Sequence, residues 1–301
     1  MVSIIIINYN TFRLTSECIR SVYKFTTEVE FEVILVDNGS SECNAELFRQ
    51  EFQKIILVKS RDNLGFAKGN NLGIGYAKGD IILLLNSDTL LMENSIQKCA
   101  AKLSALPANT VAITCKLAHP DGRIQQQCSR FPDIRNEFLE LTRIHKVLPV
   151  QKRAEMFLGS YFNHLNDIYP DWIWGTFFMF SRSIIDEMPD RKLNDDYFMY
   201  CEDMRWCYDI RMAKKKIYYY SGTQITHLLK GSAETGVSNS GIIISNELDF
   251  VAKSRGKAYM FLYGTARALN LLFASARSGM NYANFRKYLK SAFGLLVKSD
   301  N

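Results

Sequence analysis

The sequence predicts an α/β chain: a mostly parallel sheet flanked by helices, with a C-terminal helical appendage. Short apolar, β-branched runs (Val2–Ile7, Phe31–Val36, Ile55–Val58, Ile81–Leu85) alternate with stretches of helical periodicity, as in chains built from strand–helix–strand units. Two of these runs end directly in polar, acid-bearing turns, Asp37-Asn38-Gly39-Ser40 and Asn86-Ser87-Asp88. After Asn246 the pattern turns helical and basic.

In order, Val2–Ile7 is continuous and β-branched, which suits a strand buried on both faces. Leu14, Cys18, Ile19, Val22 and Phe25 recur at helical spacing, with Thr11 or Thr15 available as a cap. Phe31–Val36 is the second strand, residues 45–52 a helix, and Ile55–Val58 the third strand. Residues 66–77 form a helix and Ile81–Leu85 the fourth strand. Val111–Cys115 reads as a strand, and Pro120-Asp121-Gly122 as the turn of a hairpin between residues 116–119 and 123–127. Residues 131–169 are irregular and read as an insertion. Trp172–Phe180 is an aromatic-rich strand candidate, residues 202–213 a helix, and Ile217–Tyr220 a strand. Two amphipathic helices with a break near Ser278-Gly279 complete the chain. The division expected is 1–245 as one α/β domain and 246–301 as a helical region.

The chemistry concentrates at the strand ends, where open α/β sheets bind ligands. Asp37 follows the second strand, where a carboxylate can accept from a pyrimidine ring N–H. The alternative is an Asx turn capping the next helix. The run Asn63-Leu64-Gly65-Phe66-Ala67-Lys68-Gly69-Asn70-Asn71-Leu72-Gly73, preceded by Arg61, sets glycines, amides and cations at a loop-to-helix junction. That composition suits a nucleotide phosphate or ribose. It contains no G-K-[ST] and no G-x-G-x-x-G, so P-loop ATPase and Rossmann oxidoreductase readings lose their support. Asp88 can ligate Mg²⁺ or Mn²⁺ that also takes diphosphate oxygens, or it can cap a helix beginning near Met92. Glu202-Asp203 opens a helix after Asp196-Tyr197-Phe198-Met199-Tyr200. Acids are common in a first helical turn for dipole reasons alone, but apolar walls would raise a carboxylate's pKa toward that of a general base. A lone histidine is more often structural than ligating, and His227 is a candidate because Asp88 would need a partner.

In this order, Val2–Asn10, Asp37–Ser41, Asn63–Gly73, Asn86–Asp88, Trp174–Phe180, Glu202-Asp203 and His227 resemble a family 2 inverting glycosyltransferase of the GT-A fold, a Rossmann-like α/β sheet. The resemblance is closest to the bacterial rhamnosyltransferase and galactofuranosyltransferase branch and covers residues 1 to about 230. It implies a dTDP- or UDP-sugar donor in a pocket of Asn8, Tyr9, Asp37, Asn38, Gly39, Asn63, Gly65, Lys68, Asn71, Asn86, Ser87 and Asp88. Asp37 would bind the pyrimidine, flanked by Asn8 and Tyr9. Asn63, Gly65, Lys68 and Asn71 would shape the ribose and phosphate pocket. Asp88 would ligate Mg²⁺ or Mn²⁺ with His227 as second ligand, and Asp203 would be the general base. Trp174, Gly175 and Glu202 would lie on the substrate side. The family's Asp-x-Asp begins here with Asn86, which removes one charge from the metal site.

The net charge is +6, and residues 251–299 hold Lys253, Arg255, Lys257, Arg267, Arg277, Arg286, Lys287, Lys290 and Lys298 without one acid. A basic amphipathic helix can lie on an anionic membrane surface, each cation adding about 1 kcal/mol. Packing on the catalytic domain or in a homodimer is the alternative. No nucleic-acid motif accompanies the charge. Seven cysteines without a C-x-x-C pair argue against zinc and a disulfide framework, and for a reducing compartment. Met1-Val2-Ser3 runs straight into Ile4, unlike a secretory leader, and the most apolar stretch, residues 258–276, is broken by Arg267. The expected setting is cytoplasmic, with peripheral contact at the inner face of the membrane, where the acceptor would be a glycan hydroxyl, lipid-linked through polyprenyl diphosphate. Two other functions are weighed. A sugar-nucleotide nucleotidyltransferase would carry a Gly-rich basic signature after the first strand, and Asn8–Phe12 has no glycine. A non-catalytic nucleotide-sugar binder or scaffold is favoured only by Asn86.

Overall fold

The computed structural model of the chain describes residues 1–229, 239–275 and 279–297. In chain order the first elements are β1 (Val2–Asn8), α1 (Phe12–Phe25), β2 (Phe31–Asn38), α2 (Glu46–Glu51), β3 (Ile56–Ser60), α3 (Gly65–Ile74), β4 (Ile81–Asn86), β5 (Thr89–Leu91), α4 (Ser95–Ala105) and β6 (Thr110–Ala118). Then follow β7 (Cys128–Ser129), α5 (Ile134–Leu141), α6 (Val150–Phe157), β8 (Trp172–Ile173), β9 (Phe177–Ser181), α7 (Ile184–Glu187), α8 (Glu202–Met212) and β10 (Lys216–His227). The last are α9 (Ser240–Arg255), α10 (Lys257–Ala274) and α11 (Gly279–Val297). They form two compact units, Met1–Ser129 with Asn163–Thr235, and Arg130–Phe162 with Gly236–Asn301.

The first unit is an eight-stranded sheet in the order β3-β2-β1-β4-β9-β6-β10-β5. β1 lies parallel to both β2 and β4, and β2 is parallel to β3. Ile4, Ile5 and Ile6 are fully buried, as expected of a central strand covered on both faces. β9 runs antiparallel between β4 and β6, and β10 returns parallel to β6 and antiparallel to β5. The aromatic segment from Trp172 is therefore two strands. β8 pairs with β7 in a small separate ribbon, and Trp174-Gly175-Thr176 breaks away before β9 enters the main sheet. The turn at residues 120–122 folds as expected, with the His119 amide donating to the Arg123 carbonyl at 2.7 Å. Thr11 precedes α1 without capping it: its hydroxyl donates to Asn8 Oδ1 instead, at 3.2 Å. The helix expected near Met92 begins at Ser95, after β5.

The second unit joins the irregular stretch after residue 130 to the C-terminal helices. Within it the buried Glu137 of α5 accepts from Asn270 Nδ2 (2.7 Å) and Arg267 Nη1 (3.3 Å) on α10. Tyr263 and Tyr288 both donate to Glu247 Oε1, at 2.7 and 2.9 Å. Three helices stand here where the sequence suggested two, because Gly256, at φ 89°, separates α9 from α10. The break expected near residue 278 lies outside the described residues. No helix among the described residues is long and apolar enough to cross a membrane.

Packing of α3 on the sheet generates a prediction. A Cβ on Gly73 would stand 2.5 Å from Ile5 Cγ2 and 3.1 Å from Val36 Cγ2. Gly73→Ala is expected to lower stability by about 1–3 kcal/mol, read as a reduced midpoint in urea unfolding. An unchanged midpoint would show that α3 can move off the sheet freely.

Candidate active site

Parallel register collects the first site residues at one edge. Asn8 stands opposite Asp37, and Ile7 opposite Asn86. Asn8 is 1% exposed and uses both ends of its amide. Nδ2 donates to Asp37 Oδ1 (2.9 Å) and Ser40 Oγ (3.0 Å), while Oδ1 accepts from Thr11 and Thr15. Asn8 thus orients Asp37, whose Oδ2 accepts no hydrogen bond among the described residues. Tyr9 beside it is exposed. α2 begins only at Glu46, so Asp37 does not cap it.

Asn38 is consumed by the loop before α3. It donates to Asn63 Oδ1 (3.0 Å) and the Gly65 carbonyl (3.2 Å), and accepts from the Leu64 amide (3.0 Å). Gly39 and Gly65 have φ of 75° and 78°, a region that costs a side chain strain. A Cβ on Gly65 would lie 2.3 Å from the Phe198 carbonyl, which accepts from the Phe66 amide at 2.9 Å. The loop 195–201 is thereby fastened to the start of α3. Asn71 extends that fastening, exchanging two hydrogen bonds with the Leu193 backbone at 2.8 and 3.1 Å. Lys68 and Arg61 remain exposed, with no ion pair among the described residues.

Asp88 is buried and does not cap α4, from which β5 separates it. Its Oδ1 lies 3.3 Å from His227 Nε2. Gln125 sets the tautomer of that histidine. Gln125 Nε2 donates to the His227 carbonyl (2.8 Å), so Oε1 is the atom that accepts from Nδ1–H, also at 2.8 Å. Nε2 then turns its lone pair toward Asp88. Asn86 Oδ1 is buried with no hydrogen-bond partner among the described residues, while the Asn86 backbone N–H donates to the Thr176 carbonyl at 3.0 Å. Ser87 Oγ lies 3.4 Å from Thr11 Oγ1. Among the described residues no group of three or more His, Cys, Asp or Glu converges.

Glu202 and Asp203 start α8 after Tyr200 and Cys201, both in left-handed backbone (φ 69° and 70°). Asp203 Oδ2 accepts from the Gly175 amide at 3.0 Å and Oδ1 from Met204 at 2.8 Å. A Cβ on Gly175 would stand 2.9 Å from Phe66, which stacks on Trp206, and 3.7 Å from the Asp203 Cβ. Burial pushes the Asp203 carboxyl up to about 6, partly offset by its backbone donors. Burial, and then the charge of Asp203, raise Glu202 well above the usual carboxylate range, and Glu202 Oε2 is buried without a partner among the described residues. Trp174 is half-buried against the core. Sequence reasoning singled out each of these carboxylates. It missed Gln125, whose place in a glutamine run inside a hairpin arm carries no chemical signal, and the backbone donors that fold supplies.

The Asp203 shift has a signed consequence. Its folded pKa of about 6 exceeds the ordinary 3.8, so the folded protein holds that proton more tightly than the unfolded chain. The penalty from this group is absent below that lower value, grows between the two and is constant above. Asp203→Asn, whatever fixed cost its amide meets at the two N–H donors, is expected to gain on wild type by about 3 kcal/mol across that window. Urea unfolding of both proteins at its two ends measures this, and a flat difference would show that Asp203 is solvated.

Comparison with known proteins agrees with this geometry. The sequence profile described as "Glycosyl transferase family 2" matches residues 3–188. GlyG, a glycosyltransferase of Streptococcus pneumoniae, is 29% identical over 114 residues, covering 37% of this chain and 38% of GlyG. Agl10, a low-salt glycan biosynthesis hexosyltransferase of Haloferax volcanii, is 28% identical over 215 residues, covering 69% of this chain and 61% of Agl10. The chain thus spans only part of the length of these relatives. In fold it is similar to residues 1–349 of S. aureus TarS in complex with UDP-GlcNAc, with a TM-score of 0.60 at 15% identity over 98% of this chain and 80% of that one. TarS is a nucleotide-sugar-binding neighbour in fold alone at that identity. The profile covers more than half of the 301 residues, and the chain belongs to glycosyl transferase family 2.

Proposed function

We propose that this chain is an inverting, metal-dependent glycosyltransferase that moves a sugar from a dTDP- or UDP-sugar to a glycan hydroxyl. The observation that carries the reading is Asp203: a carboxylate with a pKa of about 6, aimed by the Gly175 amide at the head of α8. Such a group is ionised at neutral pH yet basic enough to take a hydroxyl proton in the transition state. Asp37, held by Asn8, is placed to receive a pyrimidine N–H. Lys68 and Arg61 are free to neutralise phosphate charge at the start of α3. All these residues lie within 1–245, which we take as the catalytic part, with 246–301 as the appended helical region.

The donor set at Asp88 fits a divalent cation. The Gln125-fixed histidine presents a lone pair beside a carboxylate, and the Asn86 oxygen is buried and unsatisfied. Bound Mg²⁺ or Mn²⁺ would there supply positive charge to the leaving diphosphate. Asp203 removes the acceptor proton as the acceptor oxygen forms its bond to the anomeric carbon. The bond to the diphosphate breaks on the opposite face, so the configuration inverts and no sugar–protein bond forms. The resemblance points to dTDP-rhamnose as donor, to an acceptor linked to polyprenyl diphosphate, and to surface polysaccharide as the product. Peripheral contact with the membrane, or pairing into a homodimer, would place the chain at that acceptor.

Nucleoside diphosphate release from a panel of dTDP-, UDP- and GDP-sugars, with lipid-linked and aryl-glycoside acceptors, tests the reading. One donor is expected to be turned over with Mg²⁺ or Mn²⁺ and not with EDTA. Asp203→Asn should lower kcat by about 10²–10⁴-fold while donor still binds. Turnover unaffected by Asp203→Asn would remove it as the base. Against pH, kcat/KM of wild type is expected to rise through about 6 and then level, because the ionised form of Asp203 is the active one. A profile flat from pH 5 to 8 would contradict that assignment.

A further inference from the structure

A basic, apolar turn in the second unit takes no part in the transfer proposed above. From residue 141 to 154 there is no acid, and Arg143, Lys146, Lys152 and Arg153 fall there. Between them stand Ile144, Val147, Leu148 and Val150. Val147 is 82% exposed and Val150 70%, the most exposed of the large apolar side chains among the described residues.

The turn is built to hold them out. Arg143 sits in left-handed backbone (φ 61°) and ends α5, a 3-10 turn covers Ile144–Val147, and Pro149 leads into α6. His145 anchors the other side. Its Nδ1–H donates to the Leu139 carbonyl at 3.0 Å, and its buried ring packs edge-on against Phe157 and Tyr161. Arg153 lies over the Tyr161 ring, 5.6 Å from its centre. Arg143, Lys146 and Lys152 have no ion pair among the described residues.

Aliphatic side chains fixed in water gain nothing where they stand, and the surrounding charge calls for an anionic partner with an apolar layer beneath. A second copy of the chain meets this poorly, since a two-fold contact at the turn would set these cations against their own equivalents. An acidic bilayer meets both demands. We infer that residues 143–153 dock the chain on an anionic lipid surface, with Val147 and Val150 entering the headgroup layer and Arg143, Lys146 and Lys152 facing phosphates. This places membrane contact in the insertion rather than the C-terminal helices, and it does not depend on transfer activity.

Co-sedimentation of the full chain with phosphatidylcholine vesicles, with and without phosphatidylglycerol, tests it. Wild type is expected to bind only the acidic vesicles and to be released by salt. Each cation contributes about fivefold to partitioning, so Lys146→Glu with Lys152→Glu should reduce binding at least tenfold, as should Val147→Glu with Val150→Glu. All four residues are exposed, so circular dichroism should be unchanged. Arg286→Glu with Lys290→Glu on α11 should stay within about twofold of wild type. Turn variants that bind like wild type, or loss confined to the α11 variant, would overturn the inference. So would a wild type that ignores both vesicle types, and light scattering that then shows a dimer broken by Val147→Glu would assign the turn to contact between copies.

Discussion

The parallel register of β1 with β2 and β4 is the constraint on which the site depends. It places Asn8 across from Asp37 and Ile7 across from Asn86. Because the three strands run together, their polar ends emerge at one edge, where backbone groups no longer pair and side chains can face a ligand. Asn8 then ties the edge together, its amide bridging Asp37 and Ser40 on one side and Thr11 and Thr15 on the other. A slip of one residue would turn the alternate face of β1 outward and take Asn8 away from all four partners.

A second theme is how the fold treats carboxylates taken from water. Asp88 shares its surroundings with an imidazole whose tautomer Gln125 dictates. Asp203 is stabilised by two backbone N–H groups yet stays above an ordinary aspartate, because burial outweighs them. Glu202, next to it, has fewer donors and, among the described residues, an unpartnered oxygen, and burial raises it too. Adjacent acids on one helix turn thus meet different surroundings, the kind of difference that can separate the roles of two carboxylates.

Much of this was legible beforehand. Apolar runs ending in Asp37 or Asn86 announced strand ends, and the amide- and glycine-rich run after Asn63 announced a loop meeting a helix. Other parts were hidden for physical reasons. Asn38 and Asn71, read as pocket residues, direct their amides to backbone groups at Leu64, Gly65 and Leu193, because a buried loop must satisfy its own donors before it serves a ligand. The aromatic segment from Trp172 reads as one strand by composition, yet Gly175 leaves the sheet to give its N–H to Asp203. Nothing in a window of neighbours reports a partner that lies 28 residues away.

The sequence by itself determined the α/β class, the order of the strands along the chain and the identity of the acids at their ends, because hydrophobic periodicity and strand-terminal polarity are local properties. Tertiary structure alone decided that β9 enters antiparallel between β4 and β6, that the residues after 130 pack with the C-terminal helices, and that Gln125 governs His227. It also decided how strongly each of these acids holds its proton. A pKa depends on how much water the whole fold removes and on which distant N–H groups it delivers, and neither is written in the spacing of residues.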